Sequence, residues 1–169
     1  MRFHGVLIDV GGVGVLLAGP SGVGKSACAL ELIARGHRLV ADDVVELARE
    51  GERVVGRAVE PLGPLIEIRG LGILSVSELY GPGAVAEQAA VDLVCWLEPE
   101  PRPVDRTGLE REVEELLGVE VPRVVLPSHA GASLATVVDA AARDLLWRRR
   151  GPSAAARFDA KLQRHARQP

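Results

Sequence analysis

One glycine-rich segment near the N-terminus has the residue types and spacing of a phosphate-binding loop. Its sequence is Gly19-Pro20-Ser21-Gly22-Val23-Gly24-Lys25-Ser26. It matches the pattern G-x-x-x-x-G-K-[ST] at every position, between an apolar segment and a helix-compatible one. Backbone N–H groups of such a loop point at phosphates, and the following helix N-terminus adds partial positive charge. Lys25 is placed to reach the β- and γ-phosphates, and the Ser26 hydroxyl to bind Mg²⁺. The segment predicts a nucleoside triphosphate site.

Two adjacent carboxylates, Asp42 and Asp43, follow the short apolar segment 39–41. Only one helix separates them from Lys25, so we expect their strand to lie beside the strand that leads into the loop. One carboxylate could then hold Mg²⁺ while the other accepts a proton from an attacking hydroxyl group. The alternative is a pair of exposed acids that open a turn. Glu98, after the apolar segment 91–97, is a second choice for the metal-binding acid.

Glu67 and His4 are less specific candidates. Glu67 lies between Ile66 and Ile68, so in a strand it points to the opposite face from these two residues. It is either a further metal ligand or a solvent-facing strand residue. His4, alone in an N-terminal strand, is on pattern alone more typical of a structural residue than of a catalytic one.

The spacing of apolar residues and glycines predicts the elements that would position these side chains. A helix is expected over 26–34, ending at Gly36, and a buried central strand over 91–97. Further strands and hairpins are predicted over residues 3–9 with 13–17, 38–41, 44–47 with 53–58, and 65–69 with 73–76.

In the second half of the chain, Thr107 and Glu110 form a capping-box pattern, and Gly118 is a plausible helix end. We therefore predict a helix over 107–118. A strand is expected over 119–126, near a sheet edge or starting after Pro122, because proline cannot donate a ladder hydrogen bond.

Two helices are predicted at the C-terminal end. The longest helix of the chain is expected over 132–150, because apolar residues recur there at helical spacing. After residues 151–152 a second helix is expected, with Phe158 and Leu162 four residues apart. We treat 1–150 as the P-loop domain and 151–169 as its basic helical tail.

Composition excludes several classes of function. The chain has 169 residues, 47% of them hydrophobic, but only two Phe, two Trp and one Tyr, which speaks against base stacking on aromatic rings. No apolar segment is long enough to span a membrane. Cys28 and Cys95 lie in apolar segments without metal-ligand spacing and are expected to be buried thiols in a reducing cytoplasm. The net charge is −3, yet residues 148–169 carry +6, which favours either a partner-binding or a solvated basic helix.

The motifs together resemble one bacterial family. Besides the phosphate loop, they are His4-Gly5, residues 35–43 (RGHRLVADD), residues 67–73 (EIRGLGI) and Asp105-Arg106. In order and approximate spacing, they resemble the catalytic domain of bacterial HPr kinase/phosphorylase, over residues 3 to 150. The resemblance implies an α/β fold: a P-loop-containing domain with a mixed, partly antiparallel β-sheet, flanking helices and two C-terminal helices.

The resemblance also implies a function and a set of residues. The family uses ATP and Mg²⁺ to phosphorylate a serine of HPr, a phosphocarrier protein, in the cytoplasm, without nucleic-acid or membrane partners, and assembles as a hexamer. By position, Asp43 is the proton acceptor, and residues 66–75 shape the site. Residues 19–26 bind ATP; Ser26 and Glu67 are Mg²⁺ ligands, with Asp42 close to the metal. The implied catalytic residues are His4, Lys25, Asp43 and Arg106.

The sequence also departs from the family. His4 falls almost at the start, so the family's N-terminal domain is expected to be missing. Residues 127–133 (PSHAGAS) have no arginine where the family has an arginine-containing segment, and this predicts weakened phosphorylase activity. Two other functions stay open: a P-loop kinase acting on another protein or a small hydroxyl compound, and a nucleotide-binding regulator without catalysis.

Overall fold

The computed structural model describes residues 1–59, 65–100, 111–128 and 133–166. Within these residues the chain forms a six-stranded mixed sheet, a four-stranded antiparallel sheet and a separate two-stranded hairpin. The strands are β1 (Arg2–His4), β2 (Val6–Val10), β3 (Val13–Ala18), β4 (Arg38–Ala41), β5 (Val44–Glu50), β6 (Arg53–Ala58), β7 (Leu65–Ile68), β8 (Gly72–Ser75), β9 (Gln88–Ala90), β10 (Leu93–Glu98), β11 (Glu112–Leu116) and β12 (Val119–Pro127). The helices are α1 (Lys25–Ala34), α2 (Val76–Tyr80), α3 (Leu134–Arg148) and α4 (Ala154–Ala166).

The six-stranded sheet is the centre of the fold, with the order β11-β12-β10-β3-β2-β4. Both of its faces are covered, and for that reason β2 and β3 are buried along their whole length. Val13, Val15 and Leu17 belong to a core that includes α1 and α3 residues, while Leu16 and Ala18 belong to a second core with β5 and β6. Side chains alternate between the faces of a strand, so two apolar layers require a continuous apolar strand.

Most predicted elements are present. The hairpins over 44–58 and 65–76, the helix after the phosphate loop and the buried strand over 91–97 agree with the described elements to within a few residues at each end. The single strand predicted over 3–9 is wrong: it is divided into β1 and β2, which lie in different sheets, and only β2 pairs with β3. The long helix α3 starts at Leu134 after Ser133, whose side chain accepts a hydrogen bond from the Thr136 N–H. Cys28 and Cys95 are buried free thiols, as expected. Among the described helices, none is long and apolar enough to cross a membrane.

The predicted helix over 107–118 is wrong in its described part. Residues 101–110 lie outside the described residues, but 112–116 form β11, which pairs antiparallel with β12. Leu117 and Gly118 both have positive φ, 54° and 74°, as a two-residue hairpin turn requires. A glycine with positive φ also ends helices, so Gly118 fits both structures equally well. The pairing of β11 with β12 shows that the segment forms a hairpin and not a helix.

The neighbour predicted for the carboxylate-bearing strand is also wrong. β4 does not lie beside β3: it pairs with β2, which pairs with β3, and both pairings are antiparallel. Because β2 runs antiparallel to both β3 and β4, these two strands run in the same direction. β4 therefore ends at the same edge of the sheet as β3, the strand that leads into the phosphate loop. Pro122, in contrast, is accommodated inside β12, because pairing with β10 starts only at Arg123.

Candidate active site

A cavity of about 490 Å³ opens between the phosphate loop, the end of β4 and strand β7. It collects most of the site residues predicted from the sequence. Pro20 and Val23 are part of the loop but do not line the cavity, and Arg106 lies outside the described residues. The predicted residues that do line it are His4, Gly19, Ser21, Gly22, Gly24, Lys25, Ser26, Asp42, Asp43 and Glu67.

The phosphate loop takes its shape from glycine at one critical contact. Gly19 has φ +136°, and a Cβ there would stand 2.4 Å from the backbone oxygen of Leu97, at the end of the neighbouring strand β10. The loop can therefore lie against β10 only with glycine at this position. It ends where α1 begins at Lys25, so the free N–H groups of the first helical turn face the cavity.

Lys25 folds back onto its own loop. Its ammonium group donates to the carbonyl oxygens of Gly19 and Pro20, at 2.8 and 2.9 Å. Burial lowers the pKa of Lys25, while the negative charges of Asp43 and Asp42 partly offset this shift. Among the described residues, the hydrogen-bond acceptors of the lysine are these two neutral carbonyls, which an anionic ligand can replace.

Asp42 is the more enclosed of the two carboxylates. The Ser26 hydroxyl donates to its Oδ1 at 2.8 Å, and the backbone N–H of Glu67 donates to its Oδ2 at 3.0 Å. Burial raises the pKa of Asp42, and these hydrogen bonds act in the opposite direction. A desolvated carboxylate next to a hydroxyl oxygen is a site where a cation would be favoured.

The oxygen donors present suit magnesium. Among the described residues there is no cluster of three or more His, Cys, Asp or Glu side chains that could hold a metal by itself. Mg²⁺ does not need one, because it usually keeps waters and binds through one or two protein oxygens together with substrate phosphates. Ser26 and Asp42 supply hard oxygens side by side, and exposed Glu67 lines the same cavity.

Asp43 is presented to the cavity in an unusual backbone conformation. Its φ is +65°, in the left-handed region that non-glycine residues seldom occupy. The backbone N–H of Gly5 donates to the Asp43 carbonyl oxygen at 3.0 Å, and that of Val44 donates to the Asp42 oxygen at 2.8 Å. These two bonds fix the turn, so the Asp43 side chain is 84% exposed beside the loop.

His4 comes to the site through a strand pairing that the sequence did not reveal. β1 pairs with β5, and His4 lies opposite Val44, next to Asp43. The His4 Nδ1 atom is 3.9 Å from Asp43 Oδ1, and both side chains are 84% exposed. On pattern alone His4 was a lone histidine, and only the family resemblance implied a role for it. The sheet register makes it a neighbour of the carboxylate.

Arg69 is a cavity residue that sequence reasoning did not single out. It lines the cavity after β7, and its guanidinium nitrogen lies 3.3 Å from where a Cβ would stand on Gly22 of the phosphate loop. The available signal was its position two residues after Glu67 in the motif over 67–73. A second cation thus lies close to the loop.

Comparison with known proteins gives a consistent result. A family model described as HPr Serine kinase C-terminal domain matches residues 1–162. The HPr kinase/phosphorylase of Geobacillus thermodenitrificans is 50% identical over 163 residues, covering 94% of this chain and 52% of the relative. That of Leptospira biflexa is 44% identical over 170 residues, covering 98% and 53%. A solved structure of the Hpr(Ser) kinase/phosphatase from Coxiella burnetii has a TM-score of 0.83 and 33% identity, covering 89% of this chain and 99% of that one.

Two points qualify the sequence expectations. The chain spans about half the length of the curated relatives that it matches. These relatives are named for both kinase and phosphorylase, so the comparisons do not support the weakened phosphorylase activity predicted from residues 127–133. Residues 129–132 of that segment lie outside the described residues.

Proposed function

The chain belongs to the HPr serine kinase C-terminal domain family, and from this premise we propose that it transfers the γ-phosphoryl group of ATP to a serine of an HPr-like phosphocarrier protein. The observation that best supports this proposal is the position of Asp43. It is an exposed carboxylate at the mouth of the cavity that holds the phosphate loop, and the backbone of Gly5 fixes its turn. An NTP-binding site with an exposed carboxylate beside it suits transfer to an external hydroxyl group.

Binding of the nucleotide rests on the loop and its lysine. The N–H groups at the start of α1 and the Lys25 ammonium group bind the β- and γ-phosphates, which replace the carbonyl oxygens of Gly19 and Pro20 as partners of Lys25. Ser26 and Asp42, with Glu67 nearby, would hold Mg²⁺, which neutralises phosphate charge when bound. Arg69 lies close to Gly22 of the loop and adds positive charge.

The transfer step is assigned to Asp43. Its carboxylate accepts the proton of the substrate serine as the serine oxygen forms a bond to the γ-phosphorus, and the bond from this phosphorus to the β–γ bridging oxygen breaks, which releases ADP. His4 lies close enough to orient this carboxylate. Arg106 is assigned a role in the site by motif alone.

We include the reverse reaction in the proposal. Inorganic phosphate attacks the phosphoserine, pyrophosphate forms, and the protonated Asp43 returns its proton to the serine oxygen. The names of the relatives favour this activity. It needs the same carboxylate as the forward reaction, so both activities depend on Asp43.

The test is transfer of label from γ-labelled ATP to a purified HPr-like carrier protein. We expect label on one serine, and Asp43→Asn should lower the rate about 10²- to 10⁴-fold. Glu115→Gln, a change on the exposed edge strand β11, should leave it unchanged. Label that enters small molecules of a cell extract and no carrier protein would contradict the substrate. ATP binding without transfer to any acceptor would contradict the kinase.

A homo-oligomer, a hexamer in the family, and a cytoplasmic location are part of this proposal. The oligomer is supported by apolar side chains that are exposed on the single chain. Leu71 and Ile73 are 70% and 72% exposed, and Phe158 on the basic helix α4 is 60% exposed. Apolar patches of this kind mark interaction surfaces. Light scattering on the purified chain tests the assembly; a monomer at all concentrations would contradict it.

A further inference from the structure

The end of the phosphate loop lies against the start of helix α3. Gly24 lines the cavity and is the N-cap residue of α1, with φ +102°. The Cδ1 atom of Leu134, the first residue of α3, lies 3.9 Å from where a Cβ would stand on Gly24. No side chain of the described residues caps α1 at this end. The shape of the loop at Gly24 therefore depends on the residues that pack against it, and Leu134 is one of them.

The first turn of α3 is held by a side chain of α1. Ser133 is the N-cap residue of α3, and its hydroxyl oxygen accepts a hydrogen bond from the backbone N–H of Thr136 at 3.4 Å. The same hydroxyl group donates to Oε1 of Glu31 at 2.7 Å. In a capping box the third helical residue is Glu or Gln, but here that residue is Thr136. The carboxylate that fixes the Ser133 hydroxyl group comes instead from the neighbouring helix.

Arg35 joins the same contacts from the end of α1. Its Nη2 atom donates to the Thr136 hydroxyl oxygen at 3.0 Å and lies 3.4 Å from the Ser133 hydroxyl oxygen. It also forms an ion pair with Glu31, four residues earlier on the chain. Glu31, Arg35, Ser133 and Thr136 thus form one network, which we call the α1–α3 polar network. It ties the second half of α1 to the first turn of α3.

Stability alone explains this network poorly. The side chains of Glu31 and Arg35 are 44% and 36% exposed, and exposed ion pairs contribute little to the free energy of unfolding, because two long side chains must be ordered. The helices are already packed together by buried apolar side chains, with Ala29 and Ile33 of α1 in the same core as Ala135 and Val138 of α3. What the network adds is a fixed position for the turn that carries Leu134.

We propose that Glu31 and Arg35 are positioning residues for nucleotide binding. They hold the first turn of α3 so that Leu134 keeps Gly24, and the N–H groups that follow it, in the geometry that binds phosphate. Neither residue is among those that line the cavity, so both act through Leu134. The inference rests on the proposed function only for its ligand, ATP. Because a contact of this kind acts equally on bound ATP and on the transition state, its loss should weaken ATP binding and leave the rate at saturating ATP unchanged.

The test measures the Kd of ATP by calorimetry in the presence of Mg²⁺, without any carrier protein, together with the Tm of each variant. Arg35→Ala should raise the Kd about three- to tenfold, while the Tm falls by no more than about 2 °C. Arg143→Ala is the matched control, because it also breaks an ion pair between residues four apart on a helix, with Asp139, and Arg143 is 70% exposed. Its Kd should stay within about twofold of the wild type.

Two further variants show how the network acts. Glu31→Ala should weaken ATP binding as Arg35→Ala does, and Glu31→Gln should restore most of the affinity, because its amide oxygen still accepts from the Ser133 hydroxyl group. Leu134→Ala should also raise the Kd. Arg35→Ala added to Leu134→Ala should then change the Kd little further, because both substitutions remove the same contact with the loop.

Three results overturn the proposal. One is a Kd within about twofold of the wild type in both Arg35→Ala and Glu31→Ala, which are at exposed positions that the fold should tolerate. The second is full additivity of Arg35→Ala and Leu134→Ala. The third is a fall in Tm of more than about 5 °C in Arg35→Ala, which would make the network a structural one. A wild-type chain that binds ATP but transfers nothing to a carrier protein would contradict the proposed function and not this inference.

Discussion

Asp43 offers a test that separates backbone strain from chemistry. At φ +65° a residue with a Cβ is strained by roughly 1–2 kcal/mol relative to glycine, although aspartate tolerates this region better than most residues. Alanine, in turn, gains about 0.4–1 kcal/mol over glycine by restricting the unfolded chain. The strain is the larger quantity, so Asp43→Gly should be more stable than Asp43→Ala by roughly 0.5–1 kcal/mol.

This sign is the reverse of the ordinary one. At Ala140, an exposed position inside α3, replacement by glycine should cost about 1 kcal/mol. In a chain of this size, 1 kcal/mol corresponds to a shift of about 2–4 °C in Tm. Thermal unfolding followed by circular dichroism therefore resolves the expected difference between the two Asp43 variants. The exposed side chain contributes little to stability itself, because its contact with His4 is at the surface.

Activity should follow a different order from stability. Asp43→Asn keeps a residue that tolerates positive φ, so its Tm should stay close to that of the wild type while transfer falls about 10²- to 10⁴-fold. Asp43→Gly should be equally inactive. An Asp43→Ala protein more stable than Asp43→Gly would refute the strain argument, and an active Asp43→Asn protein would refute the proton-transfer role.

Three further predictions follow from buried groups. Gly14→Ala should destabilise the chain by about 3 kcal/mol or more, measured by urea unfolding. The reason is that a Cβ on Gly14 would stand 1.7 Å from the carbonyl oxygen of Ala90 in β9. Burial raises the pKa of Asp42 above its ordinary 3.8, so the folded chain holds that proton more tightly, and the free energy of unfolding should fall as pH rises from about 4 through the raised value; Asp42→Asn should remove this slope. Burial raises the pKa of Cys28 to about 12 and that of Cys95 still higher, so a thiol reagent at pH 8 should label them only after unfolding.

Each of these has a contradicting result. A Gly14→Ala protein as stable as the wild type would mean that β9 can move away from β3. If the free energy of unfolding of Asp42→Asn depends on pH as in the wild type, another group causes the dependence. Rapid labelling of Cys28 in the folded chain would mean that α1 opens far more often than its buried side chains allow.

Secondary structure was predicted correctly where a hydrophobic periodicity or a motif is compatible with only one kind of element. The phosphate loop, the helix after it and the hairpin 44–58 are of this kind, because glycine spacing and alternating apolar residues determine them within about ten residues. The pattern that ends at Gly118 was interpreted wrongly, because a glycine with positive φ fits both a helix end and a hairpin turn. Only the pairing of β11 with β12 removed that ambiguity.

The candidate site follows the same division. The sequence by itself predicted Lys25, Ser26, Asp42 and Asp43 as site residues, because phosphate binding requires particular residue types at close spacing, and the four residues line one cavity. It could not place β4 two strands away from β3, pair His4 with the strand after Asp43, or bring Arg69 over Gly22, since these depend on contacts between distant segments. The sequence thus determined which residue types are available for a phosphate site. Tertiary structure decided which of them meet, because the register of a sheet is set by the burial of whole strands and not by the residues of the site.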